Sequence, residues 1–151
     1  MATVLDRTLT YRLHVLVKLS ERGSAAAYRD EARLPMSEGR CLAAVGTFAP
    51  LSIVDLAQRA NLTKGQASRA AQSLVDQGLV PKDASATDGR GVVLGLTRRG
   101  RAAHDRVMAV VERRNAEIFG VLGAAERAQF GAQIDRIVEH LCAATDPDPD
   151  E

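Results

Sequence analysis

The sequence predicts a mainly helical α+β chain, and three observations lead there. Apolar residues recur at helical spacing through most of the 151 residues. Two helix-start signals stand close together, at Ser52 and Thr63. One short apolar run, Val92, Val93, Leu94 and Leu96, follows a Gly-containing polar turn and reads as a strand. Hydrophobic residues make up 46% of the chain but aromatics only 3%, with no Trp, so the helices must pack through Ala and aliphatic side chains.

In chain order, residues 7–22 predict a first helix, with Leu9, Leu13, Leu16 and Val17 at helical spacing and Val15 and Leu19 on other faces. Residues 23–35 read as a looser, Ala-rich connection, with Pro35 biasing Leu34 away from helix. Ser37 offers an N-cap for a helix through Cys41, Leu42, Val45 and Phe48 that ends near Pro50. Ser52 with Asp55, and Thr63 with Gln66, each place a hydroxyl three residues before an acceptor side chain, the pattern of a capping box. Leu62 before the second cap and Ala67 within its helix suit a hydrophobic staple. A helix of about nine residues, a turn and a longer helix ending at Gly78 then form a helix-turn-helix. The strand after residues 84–91 makes a hairpin, a wing on that unit. Thr97 caps a helix running to about Val121, Gly123 breaks it, and a last helix carries Phe130, Ile134, Ile137, Val138 and Leu141.

The net charge of +1 hides an uneven distribution. Between Gln58 and Arg106 nine basic residues face four acidic ones, whereas the terminal Asp146, Asp148, Asp150 and Glu151 sit in a Pro-containing stretch expected to be disordered. Apolar runs are too short for a membrane span and no signal-peptide pattern opens the chain, so a cytoplasmic location without membrane attachment is expected. Cys41 and Cys142 lie far apart without a CxxC partner, so neither metal nor a structural disulfide is expected. No cofactor motif is present. Nucleophile elbow, phosphate loop, HExxH and paired carboxylates are all missing, which argues against an enzyme.

The segment from Leu56 to Arg69, the Gly78-Leu79-Val80 triplet, the Asp88-Gly89-Arg90 wing signature, and Leu94 to Thr97 followed by Gly100 and Arg101 occur in an order that resembles the MarR family of winged-helix transcriptional regulators. The resemblance covers nearly the whole chain. It implies a winged helix-turn-helix with a helical dimerisation region built from the N- and C-terminal helices. The implied partition is a dimerisation helix and connection over 1–34, a DNA-binding domain over 35–101, C-terminal dimerisation helices over 102–144 and an acidic tail over 145–151. It also implies a homodimer on a pseudo-palindromic operator of double-stranded DNA, acting as a repressor and released by a small aromatic carboxylate. Two departures stand out. Pro81 and Lys82 replace the usual pair after the Gly-Leu-Val triplet, and glycines flank Arg90 where relatives often carry a second arginine.

A recognition helix presents its N-terminal residues to the base edges, which selects Lys64, Gln66, Ser68, Arg69 and Gln72. Gln suits adenine and Arg suits guanine, so Gln66 and Arg69 are the candidate base readers, with Thr63, Lys64 and Ser68 mainly on phosphates and Ser52 a further DNA-binding candidate. Two alternatives stay open: Gln66 serves only the cap, and Arg69 only an acidic neighbour. Arg90, oriented by Asp88, suits a narrow minor groove, or else is a solvated loop charge. Leu5, Leu9, Leu13 and Leu16, with Ile134, Ile137, Val138 and Leu141, are more apolar surface than one small lobe can cover, which suits a dimer. For an effector the candidates are Tyr11, His14, Arg40 and Met108, because a carboxylate wants Arg or His and a ring wants an apolar wall. His14 as an interface residue and Arg40 in a surface ion pair are the competing readings. Cys41 lies on an apolar helical face, where burial dulls a thiol, so redox sensing is not expected. The rival to the DNA-binding reading is a dimeric winged-helix interaction or architectural module without sequence preference.

Overall fold

The computed structural model describes residues 4–81 and 94–145. A short 3-10 turn, Leu5–Arg7, leads into α1, Leu9–Ala27, which runs on into a π-helical turn, Tyr28–Ala32. Then follow α2, Met36–Phe48; α3, Ile53–Ala60; α4, Lys64–Asp76; α5, Arg98–Phe119; and α6, Ala124–Ala144. No helix among the described residues is long and apolar enough to cross a membrane. The chain divides into two compact units, Met1–Arg114 and Asn115–Glu151.

The helical order matches expectation, but two boundaries are corrected. The expected loose connection over 23–35 is helical as far as Ala32. Gly23 looked like a breaker, yet a Cβ there would lie 2.6 Å from a guanidinium nitrogen of Arg114. Glycine therefore stands inside a helix because another side chain lies across it. That side chain donates to the Ser20 carbonyl and the Ser24 hydroxyl, both at 3.3 Å, while Ala25, Ala26 and Ala27 supply strong helix propensity. The chain stops only at Arg33, in the left-handed conformation with φ 61°, where the Leu34 N–H still reaches the Tyr28 carbonyl. The second correction concerns α2. Pro35, not Ser37, occupies its N-cap, since proline's missing N–H and extended ψ suit a helix entrance and no side-chain cap bond is formed.

In the first unit α2, α3 and α4 pack on one another around Leu42, Val45, Leu56 and Leu74, joined by Leu94, Val107 and Val110. The buried face of α4 is Ala67, Ala70, Ala71 and Leu74, and three alanines let its backbone approach its neighbours closely. After α4, Gly78 takes φ +72°. The Leu94 N–H bonds to the Leu51 carbonyl at 2.8 Å in an isolated antiparallel bridge, the extended pairing found among the described residues. The rest of the expected wing hairpin, with Lys82, Asp88 and Arg90, lies outside the described residues, as does the acidic stretch from Asp146. Thr97 caps α5 as expected, accepting from the Gly100 N–H at 2.9 Å, and its hydroxyl donates to the Gly78 carbonyl at 2.7 Å. One side chain thus ties the start of α5 to the end of α4.

In the second unit α5 ends at Phe119 and Glu126 accepts from the Gly123 N–H at 2.6 Å to begin α6. The Phe119 and Phe130 rings pack at 6.1 Å between centroids. No residue of α6 is buried, and Ile137, Val138 and Leu141 are about half exposed. In the first unit α1 buries only Ala27 and leaves Leu9, Leu13, Val17 and Leu19 exposed. Leu9 and Leu13 of α1, with Ile137, Val138 and Leu141 of α6, belong to the apolar set expected from the sequence to form a dimer, and Val17 and Leu19 are further exposed apolar residues of α1.

Candidate nucleic-acid interface

The interface is built outward from α3 and α4. Ser52 accepts from the Asp55 N–H at 3.1 Å and starts α3, which Asn61 ends in the left-handed conformation, φ 54° and ψ 48°. That turn delivers Thr63 to the head of α4. There the Thr63 hydroxyl accepts from the Gln66 N–H at 3.2 Å, and the Gln66 side-chain oxygen accepts from the Thr63 N–H at 3.0 Å. Both arms of the capping box are made, so two otherwise orphaned N–H groups are satisfied. Leu62 packs on the core from outside the helix while Ala67 is buried within it, as a staple requires.

Opposite the buried alanines, Thr63, Lys64, Gln66, Ser68, Arg69 and Gln72 form one exposed face. They are not equally free. The Gln66 carbonyl is committed to the cap, and the Gln72 amide donates to Asp76 at 2.9 Å. Arg69 forms no ion pair among the described residues, and its guanidinium lies back over Gly65, where a Cβ would be 3.6 Å away. Its charge is thereby carried toward the N-terminal turn of α4, the end that a groove-reading helix inserts. Lys64 likewise has no ion-pair partner among the described residues.

Within the same unit an open cavity of about 730 Å³ lies among α1, α2, the end of α3 and α5. Two of the four expected effector residues, Arg40 and Met108, line it. Tyr11 and His14 are exposed on α1 and do not. The sequence reading missed Tyr28, Phe48 and Arg59 in its wall. In the sequence Phe48 is one apolar position of a helix and Tyr28 falls in the expected connection over 23–35; the scarcity of aromatics, 3% of the chain, is the signal that points to them. Arg40 donates to Glu21 at 2.9 Å, which is the ion pair expected as the competing reading of Arg40. Burial raises the Tyr28 phenol above its ordinary range, and the nearby Arg40 charge partly offsets the rise. The central carbon of the Arg59 guanidinium lies over the Phe48 ring, 4.4 Å from its centroid.

Cys41 is fully buried, and its thiol is pushed up to about 11, first by burial and then by the Glu38 carboxylate. At neutral pH it is therefore the unreactive thiol.

The MarR family model matches residues 34–91. The HTH-type transcriptional repressor Rv2887 of Mycobacterium tuberculosis is 31% identical over 104 residues, spanning 69% of this chain and 75% of the repressor. A crystal structure of that protein in complex with DNA matches with a TM-score of 0.70 at 26% identity, covering 87% of this chain and 98% of that one. Its complex with salicylic acid matches at 0.72 and 29% identity, covering 87% and 97%. A MarR/EmrR family regulator from Acinetobacter sp. ADP1 shares the fold at a TM-score of 0.80 and 18% identity, covering 93% and 99%. Carrying the helix order, the capped α3–α4 pair and these similarities together, the chain belongs to the MarR family of transcriptional regulators.

Proposed function

We propose that the chain is a homodimeric repressor that binds a pseudo-palindromic operator and is released by a small aromatic carboxylate. The observation that carries the reading is the exposed face of α4, where Lys64, Ser68 and Arg69 stand clear above a floor of buried alanines. In this reading Arg69 reads a base edge, most suitably guanine. Thr63, Lys64, Ser68 and Ser52 hold phosphates, and Gln72 turns from Asp76 toward the groove. Gln66 contributes its free amide nitrogen while its oxygen keeps the cap. Arg90, steadied by Asp88, enters the flanking minor groove.

Dimerisation is assigned to residues 1–34 and 102–144 and DNA binding to 35–101. The half-exposed apolar residues of α1 and of α6 support this division, because so much aliphatic surface on a small chain is costly to leave in water. The effector is assigned to the cavity beside Arg40 and Met108, and the aromatic-acid class is taken from the salicylic acid complex of the mycobacterial relative. A cavity of this size falls in the usual range for small-molecule sites.

The test is selection of bound duplexes from a random DNA pool, followed by titration of the selected duplex complex with salicylate. A palindromic winner released by salicylate is the expected result. Binding without any sequence preference would replace this reading with an architectural role, and no DNA binding would leave a protein-interaction module.

A further inference from the structure

The wall of the cavity carries two guanidinium groups, Arg40 and Arg59, and one carboxylate, Glu21. Arg40 and Glu21 neutralise each other at 2.9 Å. Arg59 belongs to no ion pair among the described residues, which leaves one uncompensated positive charge. A single monoanion balances it. The remaining wall carries no further charge: Ser20, Thr47 and Asn61 are polar, while Tyr28, Phe48 and Met108 give apolar and aromatic surface that suits a planar ring. We infer that Arg59, stacked on Phe48, is the anion receptor of this cavity, and that its place in the last turn of α3 ties occupancy to the recognition helix.

The stack is what makes Arg59 suited to the role. A guanidinium uses its face for an aromatic ring and its in-plane N–H groups for a carboxylate, so both contacts can be made at once. Phe48 restrains a long side chain before any ligand arrives, which lowers the entropy lost on binding. Arg40 is placed differently: a ligand carboxylate there must compete with Glu21. Arg59 also precedes Asn61, the left-handed residue that ends α3, by only two positions, and Thr63, the cap of α4, by four. The Leu62 N–H is bonded to the Ala57 carbonyl at 2.9 Å, so the turn is anchored to α3 on one side and to the cap on the other. A pull on Arg59 is thus delivered to the head of α4.

This inference rests on the effector reading, and the experiment separates the two. The full chain is titrated calorimetrically with sodium salicylate as wild type, Arg59→Gln, Arg59→Lys, Phe48→Leu and the double variant Glu21→Gln/Arg40→Gln, with operator affinity measured alongside as a check on folding. Arg59→Gln is expected to weaken salicylate by at least about tenfold, from loss of a charge-assisted fork, and Arg59→Lys to fall between it and wild type. The double variant removes the ion pair as a neutral unit and is expected to weaken salicylate less than Arg59→Gln does. Phe48→Leu, which keeps the charge and loses the stack, is expected to weaken binding about threefold or more. Wild-type affinity in both Arg59→Gln and Phe48→Leu would overturn the assignment, as would loss of binding in the double variant alone. If Arg59→Gln does not fold, unchanged binding in Phe48→Leu overturns it. If Arg59→Gln, once saturated at higher salicylate, releases operator as fully as wild type, the link to α4 is overturned. Failure of wild type to bind salicylate would refute the effector reading itself, and this inference with it.

Discussion

Among the side chains of α4, Arg69 and Gln66 are the two candidate base readers, and their surroundings separate them. The Gln66 oxygen closes the capping box, whereas Arg69 has no acidic partner among the described residues and leans over Gly65. Arg69→Ala is expected to cost roughly 1–3 kcal/mol of discrimination between operator and a random duplex, measured by competition binding at fixed salt. Arg90→Ala is expected to weaken binding and reduce the slope of log affinity against log salt by about one phosphate equivalent; an identical slope would remove Arg90 from the interface. Cys41 makes a third prediction. Its folded thiol is raised from the ordinary 9.0 to about 11, so between those values the unfolded chain gives up a proton that the folded chain keeps. Stability contributed by the neutral thiol is complete below pH 9 and is lost as pH rises toward 11. In urea titrations wild type should therefore lose stability with pH faster than Cys41→Ala, by up to about 1.4 kcal/mol per pH unit. The same burial predicts that peroxide does not release DNA through Cys41.

The helices depend on a few tertiary attachments. Thr63→Ala removes the hydroxyl arm of the box at the head of α4 and is expected to destabilise the fold by about 1 kcal/mol in urea unfolding. Because that cap also sets the position of Lys64, operator affinity should fall with it. Gly100 is the other vulnerable place: a Cβ would lie 2.0 Å from the Leu79 carbonyl oxygen, an overlap with backbone that no rotamer change can relieve. Gly100→Ala is expected to cost on the order of 1–3 kcal/mol or more by forcing α5 away from the end of α4. Thermal unfolding of the purified variant measures it.

For the molecule as a whole, the exposed aliphatic residues of α1 and α6 are the largest unexplained feature of a single chain. In the proposed homodimer a second copy covers them, and its two-fold symmetry is expected to set half-sites one DNA turn apart, roughly 34 Å. Replacing Ile137 and Leu141 together with Glu is expected to yield monomers in sedimentation experiments and to abolish tight operator binding. Inserting half a turn of DNA between half-sites should do the same from the other side of the interface.

Much of this was open to inspection in the residues alone. The periodicity of Leu9, Leu13 and Leu16, the paired caps at Ser52 and Thr63, and the stop at Gly78 are local signals, and local hydrogen bonding and amphipathicity act over a few residues, so they survived into the structure. What failed depended on residues distant in sequence. Gly23 lies within helix because Arg114, ninety-one positions later, crosses it. The cavity draws Tyr28, Phe48, Arg59 and Met108 from four separate elements, and periodicity says nothing of which helix faces another. Arg40 and Arg59 look equivalent as letters. Only packing makes one a neutralised ion pair and leaves the other stacked on a ring with its charge unspent, because partner choice is settled by proximity in space.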